Sequence, residues 1–337
     1  MKIVTDLNCF NKKDHRNLIV ALGNFDGVHL GHQAIIKKIS HRAKQIGGLS
    51  AVFTFKEHPQ RVLHKKEDPQ ILTSLIHKLY LLEQYGLDLC FLIDFTADFS
   101  KKNPEEFVRQ IFIETLGATE ICLGFNARFG RDRSGNSDLM NQLAQKYGFA
   151  FLEAAPFKIG TRVVSSSAIR SLIQEGNLNK AEELLGRPYS FFGTIVSGSG
   201  RGTGLGFPTA NLDPHSEVMP PEGVYAAWVR ILDCRLEETE NGFSSLKEHV
   251  VGDHLKAVLN YGKRPTFGKS DKPIPEVHIL DYDRDLNEKT VEVTIGERLR
   301  SELLFENKEA LKIQIQKDIE ASQKWFQRDK ERKNASE

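Results

Sequence analysis

The chain is poor in several features that would narrow its role at once. Its 337 residues hold four cysteines, Cys9, Cys90, Cys122 and Cys234, and no two of them form a C-x-x-C pair. That scatter argues against a disulfide framework or a cysteine zinc site and fits free thiols in a reducing cytoplasm. No apolar run approaches the ~20 residues of a membrane-spanning helix. The N-terminus lacks the charged-then-apolar layout of a secretory signal. An excess of one charge is also missing: 46 Lys and Arg stand against 45 Asp and Glu, a formal net charge of +1. Neither nucleic acid nor an anionic membrane therefore gains a bulk electrostatic grip. What remains is a globular composition, 40% hydrophobic and 27% charged. The length exceeds one ordinary core and implies two domains.

In the first half, strand-like and helix-like patterns alternate. Strands are expected over residues 18–25, 49–55, 87–95, 120–125 and 150–157, and helices over 33–46, 71–85, 104–116 and 138–147. Glycines 47, 86, 117 and 148 follow the helices, and Pro104 opens one of them, the usual asymmetry of helix ends. Such alternation predicts parallel βαβ units in a doubly wound, Rossmann-like sheet, whose ligands bind at the carboxyl ends of the strands.

The polar clusters fall at those ends. After the first strand come Gly23, Asn24, Phe25, Asp26, Gly27, Val28, His29, Leu30, Gly31 and His32, a strand-to-helix turn with two histidines three apart. Free backbone N–H groups and the positive end of a helix dipole make such a junction a site for phosphate, and its glycines allow close approach of a ligand. The two histidines could instead bind a metal, but beyond Asp26 no carboxylate or cysteine pair stands at ligand spacing. Glu57, His58 and Pro59 follow the second strand, and residues 126–131, beginning at Asn126, follow the fourth. After the fifth come Arg162 and the run Ser165, Ser166, Ser167, Ala168, Ile169, Arg170. Serines at a helix start can cap it or donate to a phosphate, and the two arginines could grip a polyphosphate.

Taken together, the His-x-Gly-His turn and the Ser-Ser-Ser-x-Ile-Arg run resemble the nucleotidyltransferase superfamily. Thr54, Phe55, His58 and Pro59, with Gly124, Asn126, Phe129 and Gly130, resemble more narrowly the FMN adenylyltransferase module of bacterial bifunctional riboflavin kinase/FAD synthetases. The resemblance implies that His29 and His32, helped by Gly23, Asn24, Phe25, Asp26, Gly31, Arg162, Ser165, Ser166, Ser167 and Arg170, hold ATP while a substrate phosphate attacks its α-phosphorus. His58 and Asn126 lie on the flavin side. One departure is Ala127, at a position usually aromatic in that family.

A short helix is expected over 177–185, ended by Gly186, Arg187 and Pro188, where a domain boundary is expected. Strands then predominate: 189–196, 223–232, 256–261, 275–282 and 289–295, the pattern of a small antiparallel β-barrel, followed by a closing helix over 308–326 and a charged, disordered tail over 327–337. Between 198 and 206 every second residue is glycine, including Gly198, Gly200, Gly202 and Gly206, followed by Phe207, Pro208, Thr209, Ala210 and Asn211. This is an anion nest without a Walker A lysine. The loop alone could be a flexible hairpin, but a hydroxyl and an amide oxygen beside it are hard ligands suited to Mg²⁺ on ATP.

That segment resembles the riboflavin kinase signature. The resemblance implies that Thr209 and Asn211 bind Mg·ATP, that Glu276 is the base for the flavin hydroxyl, and that Asn260 and Arg300 contact the flavin. The stretch 233–254 is polar, Glu-rich and longer than the family loop, and is expected as a solvated excursion. The whole reading is thus residues 1–186 as an FMN adenylyltransferase domain and 187–326 as a riboflavin kinase domain, with riboflavin, FMN, FAD and ATP as partners. Two rivals are a chain with only one active domain and a flavin sensor without turnover.

Overall fold

In the computed structural model, the described residues are 1–63, 70–196, 207–238, 244–250, 254–263, 273–282, 284, 286 and 288–334. Contacts divide the chain into two units. The first comprises Met1–Ala168, Leu184–Gly186 and Arg235–Lys247, and the second Ile169–Glu183, Arg187–Cys234 and Glu248–Glu337.

The first unit is built on a parallel sheet. Its strands are β1 (Lys2–Val4), β2 (Leu18–Leu22), β3 (Leu49–Phe55), β4 (Leu89–Ile93), β5 (Ala118–Gly124) and β6 (Ala150–Ala154), in the spatial order β1-β4-β3-β2-β5-β6. β2 reads Leu-Ile-Val-Ala-Leu and is buried along its whole length, as a central parallel strand covered on both faces must be. Helices α1 (Leu30–Gln45), α2 (Pro59–Leu63), α3 (Leu75–Glu83), α4 (Ala97–Ser100), α5 (Pro104–Phe107, continued by wider π turns over Val108–Thr115) and α6 (Ser137–Tyr147) connect the strands. Ile36, Ile39 and Ala43 form the buried stripe of α1. Chain order reverses between β2 and β5, and the turn after β2 opens at that crevice, where doubly wound sheets take their ligands. Cys90 and Cys122 are interior strand residues whose thiols burial pushes up to about 12 and about 11.

After β6 come a small hairpin, β7 (Lys158–Ile159) with β8 (Arg162–Val163), then α7 (Ser166–Gln174) and α8 (Leu178–Leu185). The second unit holds β9 (Ser190–Val196), β10 (Ala210–Asp213), β11 (Gly223–Glu238), β13 (Leu255–Gly262), β14 (Ile274–Ile279) and β15 (Thr290–Arg300), with β12 (Ser244–Val250) following β11 in the chain. Pairings run β13-β14-β10-β9-β15-β11 and return to β13, so these six antiparallel strands close on themselves. Val277 and Ile279 of β14, Ala257 and Leu259 of β13, Val291, Val293 and Ile295 of β15, and Phe191 of β9 are buried, the alternation that closure requires.

Three expectations need correction. The closing helix, α9, does not stop at 326 but runs Lys308–Asn334. Residues 327–334 of the expected disordered tail continue it because Asp329 is buried and accepts from Trp228 Nε1 at 3.1 Å, while Arg328 pairs with Glu297 at 2.7 Å. Nor is the stretch 233–254 simply solvated. β11 extends to Glu238, and Ser244 of β12, buried, lies opposite Ile3 of β1 in antiparallel register. Finally, the contact boundary is not a single cut at 186: residues Ile169–Glu183 go with the second unit and Leu184–Gly186 with the first. Leu184 and Leu185 are buried, and the Leu185 carbonyl accepts from Gln33 of α1 at 2.8 Å.

Candidate active sites

The turn after β2 is shaped by backbone that most residues avoid. Phe25, Gly27 and Val28 have φ values of 52°, 81° and 39°. A Cβ at Gly27 would stand 2.6 Å from a Leu72 methyl, so glycine is required there for space as well as for conformation. The segment leading into α3 fixes the turn from one side. Asp26 Oδ1 accepts from the backbone N–H of Leu72 at 2.8 Å and of Thr73 at 3.1 Å, and Gly27 N–H donates to Thr73 Oγ1 at 3.0 Å. Asp26, expected toward the nucleotide, thus ties the turn to the start of α3 through Oδ1. The serine run approaches from another side: Ser166 Oγ donates to the Asp26 carbonyl at 3.0 Å, and Ser165 Oγ caps α7 by accepting from Ala168 N–H at 3.3 Å. Ser167 is exposed. Two segments separated by 140 residues thus meet as the paired motifs implied.

His29 is the N-cap of α1, its Nδ1 accepting from His32 N–H at 3.3 Å. The two imidazoles stack with centroids 3.7 Å apart and planes 14° from parallel, and Phe25 lies 5.2 Å from His32. Gly31 keeps the helix start open, since a Cβ there would come within 3.2 Å of the His29 ring. Gly23 likewise adjoins the Phe25 ring, and the Asn24 carbonyl accepts from Thr54 Oγ1 at 3.2 Å. Burial first, then the neighbouring His29 and Lys78, hold His32 well below the usual imidazole range. His32 is therefore neutral at physiological pH, and its Nδ1 is buried with no hydrogen-bond partner among the described residues. A stacked histidine pair at a helix N-terminus offers directed hydrogen bonds to phosphate oxygens. Lys78, a residue the sequence reading passed over, is a buried cation under the same turn, where burial pushes it down to about 8. Its only sequence signal is a lysine within the apolar run of α3.

The flavin-side candidates of this unit flank the turn. His58 follows β3, with Nδ1 accepting from Gln60 N–H at 3.3 Å, and Asn126 is exposed in the tight turn after β5. β3 and β5 are the two neighbours of β2. Arg162 is exposed on β8, and Arg170 lies one helical turn beyond Ser166 on α7, within the second unit. Ala127 packs against the core of the first unit.

In the barrel, register does what sequence spacing could not. Asn211 of β10 and Asn260 of β13 both lie directly opposite Glu276 of β14. Residues paired in this way share a face, so three candidates separated by up to 65 positions form one row across three strands. Val277 and Ile279 point into the core, which puts Glu276 on the outer face with Asn211 and Asn260. Thr209 is exposed two residues before Asn211. The chain just before it is held by His278, whose Nδ1 lies 2.7 Å from the Pro208 carbonyl and whose ring meets Phe207 edge-on. Gly198, Gly200, Gly202 and Gly206 fall outside the described residues. A hydroxyl, an amide oxygen and a carboxylate suit a hard divalent cation that takes its remaining ligands from phosphates and water. Among the described residues no group of three or more His, Cys, Asp and Glu could hold a metal by itself.

Arg300 does not stand with that row. Its guanidinium binds Asp318 of α9 through Nε at 2.9 Å and Nη2 at 2.8 Å, and it lies over the Phe305 ring at 5.8 Å. The geometry is that of an anchor between β15 and α9.

A parallel nucleotide-binding sheet with a His-x-Gly-His turn, and a separate six-stranded barrel carrying a polar row, define a two-domain nucleotide-using transferase. Residues 11–168 match the family model described as FAD synthetase, and residues 185–326 match that described as riboflavin kinase. Among curated proteins, the bifunctional riboflavin kinase/FMN adenylyltransferase of Haemophilus influenzae is 32% identical over 307 residues, covering 91% of this chain and 94% of that one. The Bacillus subtilis protein of the same name is 32% identical over 320 residues, 94% of each chain. That of Escherichia coli K12 is 29% identical over 327 residues, 97% and 98% of the two chains. The chain belongs to the bifunctional riboflavin kinase/FMN adenylyltransferase family. A crystal structure titled as a macrolide-efflux protein from Streptococcus pneumoniae superposes with a TM-score of 0.75 at 28% identity, covering 96% of this chain and all of that one. Among the described residues of this chain, no helix is long and apolar enough to cross a membrane.

Proposed function

We propose that the chain makes FAD from riboflavin in two ATP-dependent steps, one in each unit. The second unit transfers the terminal phosphoryl group of ATP to the ribityl hydroxyl of riboflavin, giving FMN and ADP. The first unit joins FMN to the α-phosphorus of a second ATP, giving FAD and pyrophosphate. The observation that supports this reading is that the His-x-Gly-His turn, joined to Ser166, lies in the first unit and the row of Asn211, Asn260 and Glu276 in the second.

In the first unit, an oxygen of the FMN phosphate attacks the α-phosphorus as the bond to the bridging oxygen of the leaving pyrophosphate breaks. No covalent enzyme intermediate is needed; the site aligns the groups and stabilises charge that develops on the equatorial oxygens. His29 and His32 and the N–H groups of α1 donate to those oxygens, and Arg162 and Ser166 serve the polyphosphate. His58 and Asn126 face the flavin side. In the second unit, Glu276 takes the proton from the ribityl hydroxyl as its oxygen attacks the γ-phosphorus and ADP departs. Asn260, in the same row, orients the flavin. Thr209 and Asn211 would hold Mg²⁺ on the ATP phosphates, where the ion neutralises charge on the transferring group. The chemistry of the donor set supports Mg²⁺, and the scatter of four cysteines without a C-x-x-C pair supports a reducing cytoplasmic location.

Incubation with riboflavin, ATP and Mg²⁺, followed by chromatographic resolution of FMN and FAD, tests the reading. His29→Ala combined with His32→Ala should block FAD while FMN accumulates. Glu276→Ala should block FMN while supplied FMN still becomes FAD. Equal loss of both products from a folded variant at either site would refute the two-site assignment.

A further inference from the structure

A cation lies beneath the adenylyl site that the two steps above do not employ. Lys78 is in the first turn of α3, 7% exposed. Its Nζ donates to the Phe55 carbonyl at 2.7 Å and to Thr54 Oγ1 at 3.3 Å, both at the carboxyl end of β3. Thr54 Oγ1 in turn donates to the Asn24 carbonyl at 3.2 Å, inside the turn. The chain of contacts runs from the lysine, through a strand end, into the loop that starts with Gly23 and ends with His32.

Nothing about local stability recommends a lysine here. A buried ammonium is costly even when hydrogen-bonded. The first turn of a helix is the positive end of its dipole, which repels a cation. Leucine or methionine would fill the same apolar face of α3 at lower cost. A polyanion bound over the turn changes the balance, because it supplies the countercharge. The titratable groups that face Lys78 are Asp26 of the turn, His32 of α1 and Cys90 of β4. Asp26 favours the ammonium, whereas the charge of Lys78 disfavours protonation of His32.

We propose that Lys78 is a positioning residue of the adenylyl-transfer site: its buried ammonium ties Thr54, and through it Asn24, to the end of β3, and places a fixed positive charge beneath the turn that carries His29 and His32. The proposal rests on the reading of the first unit as an FMN adenylyltransferase. Lys78 touches neither substrate nor the reacting atoms; it acts through the turn.

The test measures FAD formation from supplied FMN and ATP between pH 6.5 and 9.5, with FMN formation from riboflavin followed in parallel as the internal control. Burial pushes Lys78 down to about 8, so adenylylation by the unmodified protein should decline on the alkaline side with a midpoint near that value. Lys78→Met should lower kcat for FAD formation roughly 30-fold, the scale of a lost charged hydrogen bond, should erase the alkaline decline, and should leave the riboflavin kinase rate within twofold. Thr54→Val cuts the link to Asn24 but keeps the cation; it should lose only several-fold and retain the decline. A Lys78→Met enzyme within threefold of the unmodified rate would overturn the proposal. A pH profile of the unmodified protein that is flat from 7 to 9.5 would overturn it too, and that result needs no variant to fold. If the unmodified protein made no FAD at all, the adenylyltransferase reading would fail instead; normal FAD formation with insensitivity to Lys78→Met sinks only the role of the lysine.

Discussion

Gly27→Ala compared with Gly47→Ala isolates the one contact on which the shape of the adenylyl turn depends. Both glycines belong to the first unit and both have positive φ, 81° and 61°. An alanine in that region costs about 1 kcal/mol at either site. They differ in space. Nothing lies within 4 Å of a Cβ at 47, whereas a Cβ at 27 meets Leu72 Cδ1 at 2.6 Å and Leu72 Cβ at 3.0 Å. Leu72 is 1% exposed and its backbone N–H is bound to Asp26, so it cannot swing aside. Overpacking of this kind costs about 2 kcal/mol, giving about 3 kcal/mol in total for Gly27→Ala against about 1 kcal/mol for Gly47→Ala. For a unit of this size each kcal/mol lowers Tm by roughly 3 °C. Differential scanning calorimetry should therefore show the first-unit transition lowered by about 9 °C and about 3 °C respectively. FAD formation should fall at least tenfold in Gly27→Ala alone, because displacement of Leu72 also displaces Asp26, whose carbonyl receives Ser166. Equal Tm shifts for the two variants, or full FAD formation by Gly27→Ala, would refute the steric account of the turn.

Four further outcomes follow from the geometry. Glu276→Gln keeps the row with Asn211 and Asn260 but removes the base; riboflavin phosphorylation should drop about 10²–10⁴-fold at unchanged barrel stability, checked by steady-state kinetics and thermal denaturation together. Arg300→Met leaves the buried Asp318 carboxylate without its guanidinium and should destabilise the second unit by about 3 kcal/mol; Asp318→Asn should destabilise similarly, whereas a flavin-contact role for Arg300 would instead raise the riboflavin KM in Arg300→Met only. Truncation after Phe326 deletes Asp329 and the Arg328–Glu297 pair, and should lower barrel stability and shift Trp228 fluorescence on urea titration. His32 has a folded pKa depressed below its unfolded value near 6.5, so the unfolded chain binds the proton more readily. The stability contributed by neutral His32 is full above pH 6.5 and is lost as pH falls below it; His32→Asn should flatten that part of the stability curve, as read by calorimetry from pH 7 to 5.

The sequence was most legible where pattern and chemistry coincide. Alternation of strand and helix periods, glycines after helices and a run such as Leu-Ile-Val-Ala-Leu fixed the parallel sheet, because a strand buried on both faces has few other compositions. The turn was legible for a related reason: glycine, histidine and a helix start must adjoin in sequence to adjoin in space. Ser166 was reachable only through resemblance, since its bond to the Asp26 carbonyl spans 140 positions that no local rule connects. The tail was misread because charge was taken for disorder. Asp329, Arg328 and Arg332 are charged and still anchored, each by a partner on another element or a residue along the helix.

Glu276 and Arg300 show where local reading ends. Both are charged strand residues, and nothing in their immediate sequence separates a base from an anchor. Register separates them. Glu276 lies opposite two asparagines on the outer face of β14, a polar row that no core requires. Arg300 ends β15 against a buried carboxylate of α9, where its charge is already matched. A guanidinium bound through two nitrogens to an aspartate has its strongest donors committed. The same criterion applies to Lys78. Its hydrogen bonds go to a carbonyl and a hydroxyl, both neutral, so its charge is left to act on whatever anion the turn receives. Register and bonded partners, rather than charge alone, thus separate Arg300 from the row that holds Glu276.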